Sequence, residues 1–202
     1  MLDQLPFNWF DLLVIVALLL GLRSGRTHGM SEELMMLLKW LALVLACAVF
    51  YEPVGSTIST TSPVFSLLNG YLIGYAAVAL IIAALFSLFK KMVGGKLISS
   101  EAFGRSEFYL GMFAGMVRFS CVLIMGLALL HARSFEQSEI SADVKYQNDM
   151  YGSNFFPKLY TIQAQVFDRS VAGPWIKNNL SFLLIKPTAP EKKELKRREV
   201  QL

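Results

Sequence analysis

Four stretches of this chain are almost free of charge: residues 10–22, 34–51, 64–89 and 108–130. About 20 consecutive apolar residues cross the hydrocarbon of a bilayer as a helix, and the two longest runs exceed that length. Overall composition decides less. The 202 residues are 54% apolar and mean hydropathy is +0.49, yet soluble domains come close to the same apolar share. It is the clustering that predicts an all-α integral membrane protein: a four-transmembrane-helix bundle over residues 1–130, with spans at 7–22, 34–51, 64–89 and 108–130. An extramembrane tail with short amphipathic helices follows at 131–186, then a charged, disordered end at 187–202.

The first span, "FNWFDLLVIVALLLGL", is about 24 Å long at 1.5 Å per residue. It reaches both interfaces only with local thinning or help from its flanks. Trp9 and Phe10 are placed in the aromatic belt at its outer end. A cleaved signal peptide needs a basic leading region, and "MLDQLPFNW" contains Asp3 and no Lys or Arg, so the segment reads as an uncleaved anchor.

Orientation follows from the basic residues, which collect in cytoplasmic loops. Arg23 and Arg26 lie between spans one and two, and Lys90, Lys91, Lys96 and Arg105 between spans three and four. The N-terminal segment and the connection at 52–63 hold none. The N-terminus is therefore expected outside, both basic loops in the cytoplasm, and the tail outside. Lys192, Lys193, Lys196, Arg197 and Arg198 would instead suit anionic lipid if the tail lay inside. In this setting the net charge of +4 sets topology, and no basic face with interleaved aromatics points to nucleic acid. Cys47 and Cys121 fall within spans and read as packing residues.

The first basic loop, "GLRSGRTHGM", spaces Gly21, Gly25 and Gly29 four apart. Glycines there permit a close backbone approach and left-handed turns, which a tight hairpin between two helices requires. Ser31 is the expected N-cap of span two, with Glu32 and Glu33 favourable near its positive end, and Pro63 opens span three. Gly70 with Gly74, and Gly111 with Gly115, are small-xxx-small pairs that mark packing faces, within the bundle or between copies of the chain.

Asp11, Lys39 and Arg118 interrupt the spans. A charge at the bilayer centre costs roughly 2.5–3.5 kcal/mol on insertion scales. Asp11, near the outer interface, is expected to stay wet. Lys39, about 9 Å deep by helical rise, and Arg118 are expected to snorkel to cytoplasmic headgroups. The alternative is a buried cluster with Glu33 or Glu107. In the tail, Phe155, Phe156, Leu159, Ile162 and Val166 recur at helical spacing, as do Ile176, Leu180, Leu183 and Leu184 behind Pro174. These predict amphipathic helices on the membrane surface, on the bundle, or in a small soluble subdomain.

"DLLVIVALLLGLRSGRTHGMSEELMMLLKW" resembles the opening of the colicin V production protein (CvpA) family. There an apolar helix begins near an acidic residue, then come Arg-Gly, a Glu four residues later and a Trp leading the next run; Asp11, Gly29, Glu33 and Trp40 take those places. In "EFYLGMFAGMVRF", Glu107, Gly111, Gly115 and Arg118 match the family's second signature. His28, Phe108 and Phe119 depart from the pattern, and the similarity covers about residues 7–130. It implies a bacterial inner-membrane protein linked to toxin (colicin V) production or to cell-envelope homeostasis.

Catalysis is not expected, and no metal or cofactor is. The two histidines, His28 and His131, fall on opposite sides in this topology, and "GGKLIS" at 94–99 lacks the first Gly and the magnesium-binding hydroxyl of a phosphate loop. Two functions stay open: a scaffold or assembly factor engaging envelope or secretion proteins, and an oligomeric channel or transporter component using Asp11, Lys39 and Arg118 around a polar path.

Overall fold

The computed structural model describes residues 7–61, 65–93, 106–152 and 158–189. Their regular elements are all helices, apart from one isolated bridge between Arg133 and Thr188. The order is α1 (Trp9–Thr61), α2 (Leu67–Val93), α3 (Glu107–His131), α4 (Gln137–Tyr151), α5 (Leu159–Phe167), α6 (Ala172–Asn179) and a 3-10 turn (Ser181–Leu183). Three helices, α1, α2 and α3, are long and apolar enough to cross a membrane.

The first and second expected spans are thus joined in α1, with one non-helical residue between them, Gly29 (φ 72°, ψ 172°). A straight helix of 53 residues would run about 80 Å. The packing on α3 shows that it reverses instead. Gly111 meets Gly25 and Gly115 meets Gly21, so α3 runs antiparallel to the arm at 9–28. Further along α3, Arg118 touches Glu33 and Met36, and Cys121 clusters with Val44, so α3 runs parallel to the arm at 30–61. The chain folds back at a single residue, and Ser31, inside the second arm, does not cap it; Gly29 holds that position. The φ,ψ pair at Gly29 lies in a region open essentially to glycine alone, which explains why the turn needs no longer loop.

The second arm also outruns its expected end at residue 51. It continues through Pro53 to Thr61, where the Ser56 and Thr57 hydroxyls donate to the Pro53 carbonyl, and those of Ser59 and Thr60 to the Ser56 carbonyl. Gly55 lies against Gly70 and Gly74 of α2 at backbone distance. Both small-residue pairs therefore serve contacts within the bundle. Pro63, the 94–99 loop, Phe155, Phe156 and the basic cluster at 192–198 lie outside the described residues.

The tail folds onto one end of the bundle. Val166, Phe167, Leu184 and Ile185 are buried in one core with Phe10, Cys47, Tyr51, Tyr75 and Ala128. Residues 187 and 188, expected in a disordered end, are held there: Thr188 N–H donates to the Ala132 carbonyl and Ser134 N–H to the Thr188 carbonyl. Helix α4 was not expected, since its polar sequence carries no apolar stripe of the kind seen in α5 and α6.

Candidate functional site

Two groups of polar side chains sit at opposite ends of this bundle. At the turn end, glycines four apart lie along one stripe of each helix, and the backbones nearly touch. A Cβ at Gly25 would stand 1.9 Å from the Gly111 carbonyl oxygen, and one at Gly21 would stand 2.6 Å from that of Gly115. Close approach here brings Arg118, one turn beyond Gly115, against the second arm of α1. Its Nη1 is 2.9 Å from Glu33 Oε2. Its Nη2 donates to Ser24 Oγ at 2.9 Å, and Ser24 Oγ donates in turn to Glu33 Oε1 at 3.3 Å.

Glu33 is 0% exposed and the Arg118 side chain 12%. Arg118 therefore does not snorkel. Glu33 Oε2 has no aligned hydrogen bond, so charge holds this contact more than donor geometry. Arg118 also stacks over Phe119 at 5.1 Å and reaches the Met36 sulfur at 2.8 Å. His28, at the mouth of the cluster, places Nδ1 2.8 Å from the Ser24 carbonyl and 3.8 Å from Glu33 Oε1. The Glu107 carboxylate packs against Gly29, where a Cβ would stand 3.0 Å from Oε1. Lys39 is half-buried and takes no part in the Glu33 pair, and Trp40 packs with Val44 and Cys121.

At the tail end, Asp11 is 4% exposed, not wet as expected. Its carboxylate accepts from the backbone N–H groups of Asn8 (3.0 Å), Val171 (3.1 Å) and Ala172 (3.0 Å). It thereby caps α6, whose first N–H groups have no partner within the helix. Phe10, expected in the aromatic belt, is buried, while Trp9 stays part-exposed and donates to Gln165. The Tyr51 hydroxyl accepts from Lys186 N–H at 3.2 Å, and Lys186 Nζ pairs with Glu52 at 2.7 Å. That hydrogen bond raises the Lys186 amine above its ordinary range. His131 Nδ1 lies 2.9 Å from the Ile185 carbonyl, which can only accept, so this nitrogen carries the proton.

A cleft of about 310 Å³ beside His131 is lined by Arg133, Tyr160, Gln163, Asp168 and Lys177. Its cations are matched, Arg133 by Glu139 and Lys177 by Asp168. The two histidines stand at opposite ends of the bundle. Among the described residues, no group of three or more His, Cys, Asp and Glu is placed to hold a metal.

Of the residues singled out in the sequence, the structure gathers Gly29, Glu33, Gly111, Gly115 and Arg118 at the turn end and sends Asp11 to the other. Ser24 and Gly55 were missed. Ser24 has no sequence signal, while Gly55 is one small residue in a segment read as a loop.

The family model for the colicin V production protein matches residues 10–183. No curated protein and no solved structure matches the chain.

Proposed function

The chain belongs to the colicin V production protein family, and from that premise we propose that it is a non-catalytic scaffold or assembly factor of a bacterial inner membrane. Its role is tied to toxin (colicin V) production or export, or to envelope homeostasis. The observation that carries this reading is the use made of charge inside the apolar bundle. The Glu33–Arg118 pair ties the turn of α1 to α3, and Asp11 ties the start of α1 to the tail. Groups consumed in this way are not available to line a polar path.

The arms of α1 cross the membrane separately in this account, giving four crossings with α2 and α3. Each arm on its own approaches or exceeds the roughly 30 Å of hydrocarbon. The exposed cations Arg23, Arg26, Lys90 and Lys91 support a cytoplasmic turn end, and in this reading the folded tail faces the periplasm with the partners it assembles.

A strain lacking the native gene, complemented with the Glu33→Leu/Arg118→Leu double variant, tests the scaffold reading. Retained toxin production and a silent liposome flux assay are the expected results. A folded double variant that abolishes production, together with solute flux through the wild type, would establish the channel reading instead.

A further inference from the structure

We propose that residues 171–186 form a re-entrant element whose Trp175 and Phe182 side chains are embedded in the acyl region of the outer leaflet. The inference rests on the reading that the bundle spans a bilayer, and adds that this part of the tail is not free in the periplasm.

Depth comes from the helix register. With Gly25 opposite Gly111 and Gly21 opposite Gly115, Asp11 falls level with residue 125, about 9 Å below the tail end of α3 by helical rise. Asp11 holds the N–H groups of Val171 and Ala172, so α6 starts below that end. The chain then packs along the bundle's flank: Leu183 is buried with Val44 and Cys121, and Leu180 packs beside it. It returns at once, since the Ile185 carbonyl meets His131 and Lys186 meets Tyr51 and Glu52. The segment enters and leaves by the same end.

The polarity of α6 matches such a position. Val171 and Trp175, four apart, share one flank. Lys177 lies on the other, paired with Asp168 beside the polar cleft. Trp175 is 60% exposed and Phe182 65%, and Leu12 and Leu13, which follow Asp11 on α1, are exposed as well. Two carbonyls at the end of α6 have partners, as a lipid setting favours: Asn179 Nδ2 donates to the Trp175 carbonyl and Leu180 N–H to that of Ile176. An exposed aromatic on one flank of α6 and a salt bridge on the other is what an interfacial element seated 5–10 Å into the headgroup–acyl boundary presents. Lipid, rather than a protein partner, is the occupant selected by packing of this segment on Val44 and Cys121, well inside helices long and apolar enough to span.

The test is nitroxide accessibility of the full chain in phosphatidylcholine vesicles. Labels go at Phe182→Cys, Lys177→Cys and Leu80→Cys, the last on the exposed face of α2; Cys47 and Cys121 are buried. At residue 182, collisions with apolar oxygen should exceed those with a water-soluble nickel chelate about two-fold or more, with the reverse at 177. Loss of oxygen preference at residue 80 would remove the spanning reading itself. Oxygen preference at 80 but chelate preference at 182, or low access to both reagents at 182, would overturn the re-entrant element alone, the last outcome meaning that protein covers it. A Trp9→Phe/Trp40→Phe variant carries the same question without a label at 182. Quenching of Trp175 by shallow acyl-chain bromine supports the proposal, and quenching by aqueous iodide only overturns it.

Discussion

Replacing Arg118 by Leu isolates the contribution of the buried pair. Glu33 is fully buried, with Arg118 Nη1 at 2.9 Å, Ser24 Oγ at 3.3 Å and His28 Nδ1 at 3.8 Å. Of these groups, Arg118 is the one in ion-pair contact under 3 Å with the carboxylate. Without it, a carboxylate remains where water cannot reach, with one long hydroxyl hydrogen bond. Stranding one member of a buried ion pair costs roughly 3–5 kcal/mol, and Glu33→Leu should cost a similar amount by stranding the guanidinium. Removing both is different. Two leucines in place of the pair satisfy the apolar surroundings, and such replacements are often neutral or stabilising. The double variant should therefore be more stable than either single one. Reversible unfolding in mixed detergent micelles, run as a double-mutant cycle, measures this directly. Additive losses, with the double variant the least stable of the three, would refute the pairing. An Arg118→Leu protein as stable as wild type would refute the claim that the pair ties the bundle.

Substitutions at Gly25, Gly29 and Asp11 probe the other ties, with Gly126 as a control. Gly25→Ala forces α1 and α3 apart, because its Cβ would stand 1.9 Å from the Gly111 carbonyl oxygen; overpacking of this kind costs about 1–3 kcal/mol. Gly126→Ala on α3, with nothing within 4 Å, should stay within about 0.5 kcal/mol of wild type in the same unfolding assay. Gly29→Ala should lose roughly 1–3 kcal/mol to backbone strain, and Gly29→Asn should not rescue it, because ψ 172° lies far from the left-handed region that Asn tolerates. Asp11→Ala leaves the Val171 and Ala172 N–H groups uncapped, at about 1–3 kcal/mol. Limited proteolysis should then cut within 168–186 while α2 and α3 stay protected.

The parts of this fold that were legible in the sequence are those governed by composition and short spacing. Charge-free runs located the helices, and glycines at four-residue intervals located the α1–α3 contact, because close backbone approach leaves a mark wherever a side chain must be absent. The turn at Gly29 was legible as a glycine-spaced loop but not as a single residue, since its φ,ψ values leave no trace beyond the glycine itself. Asp11 was misread because the groups that bury it are backbone N–H groups of residues 171 and 172, which any sequence supplies. Arg118 was assigned to the headgroups for a related reason. Its spacing along α3 allows snorkelling, and only the fold-back at Gly29 brings Glu33 within reach. The second arm's extension past residue 51 was hidden by Pro53, which signals a helix end in sequence although the helix runs through it here.

The claim from which the rest follows is that α1 crosses the membrane twice, turning at Gly29 on the cytoplasmic side. Alkaline phosphatase fused after residues 28, 60 and 202, each assayed in whole cells, tests it. Four crossings with an outside tail predict an inactive fusion after residue 28 and active fusions after 60 and 202. Activity after residue 28 would contradict the account, because the glycine turn would then lie on the periplasmic side.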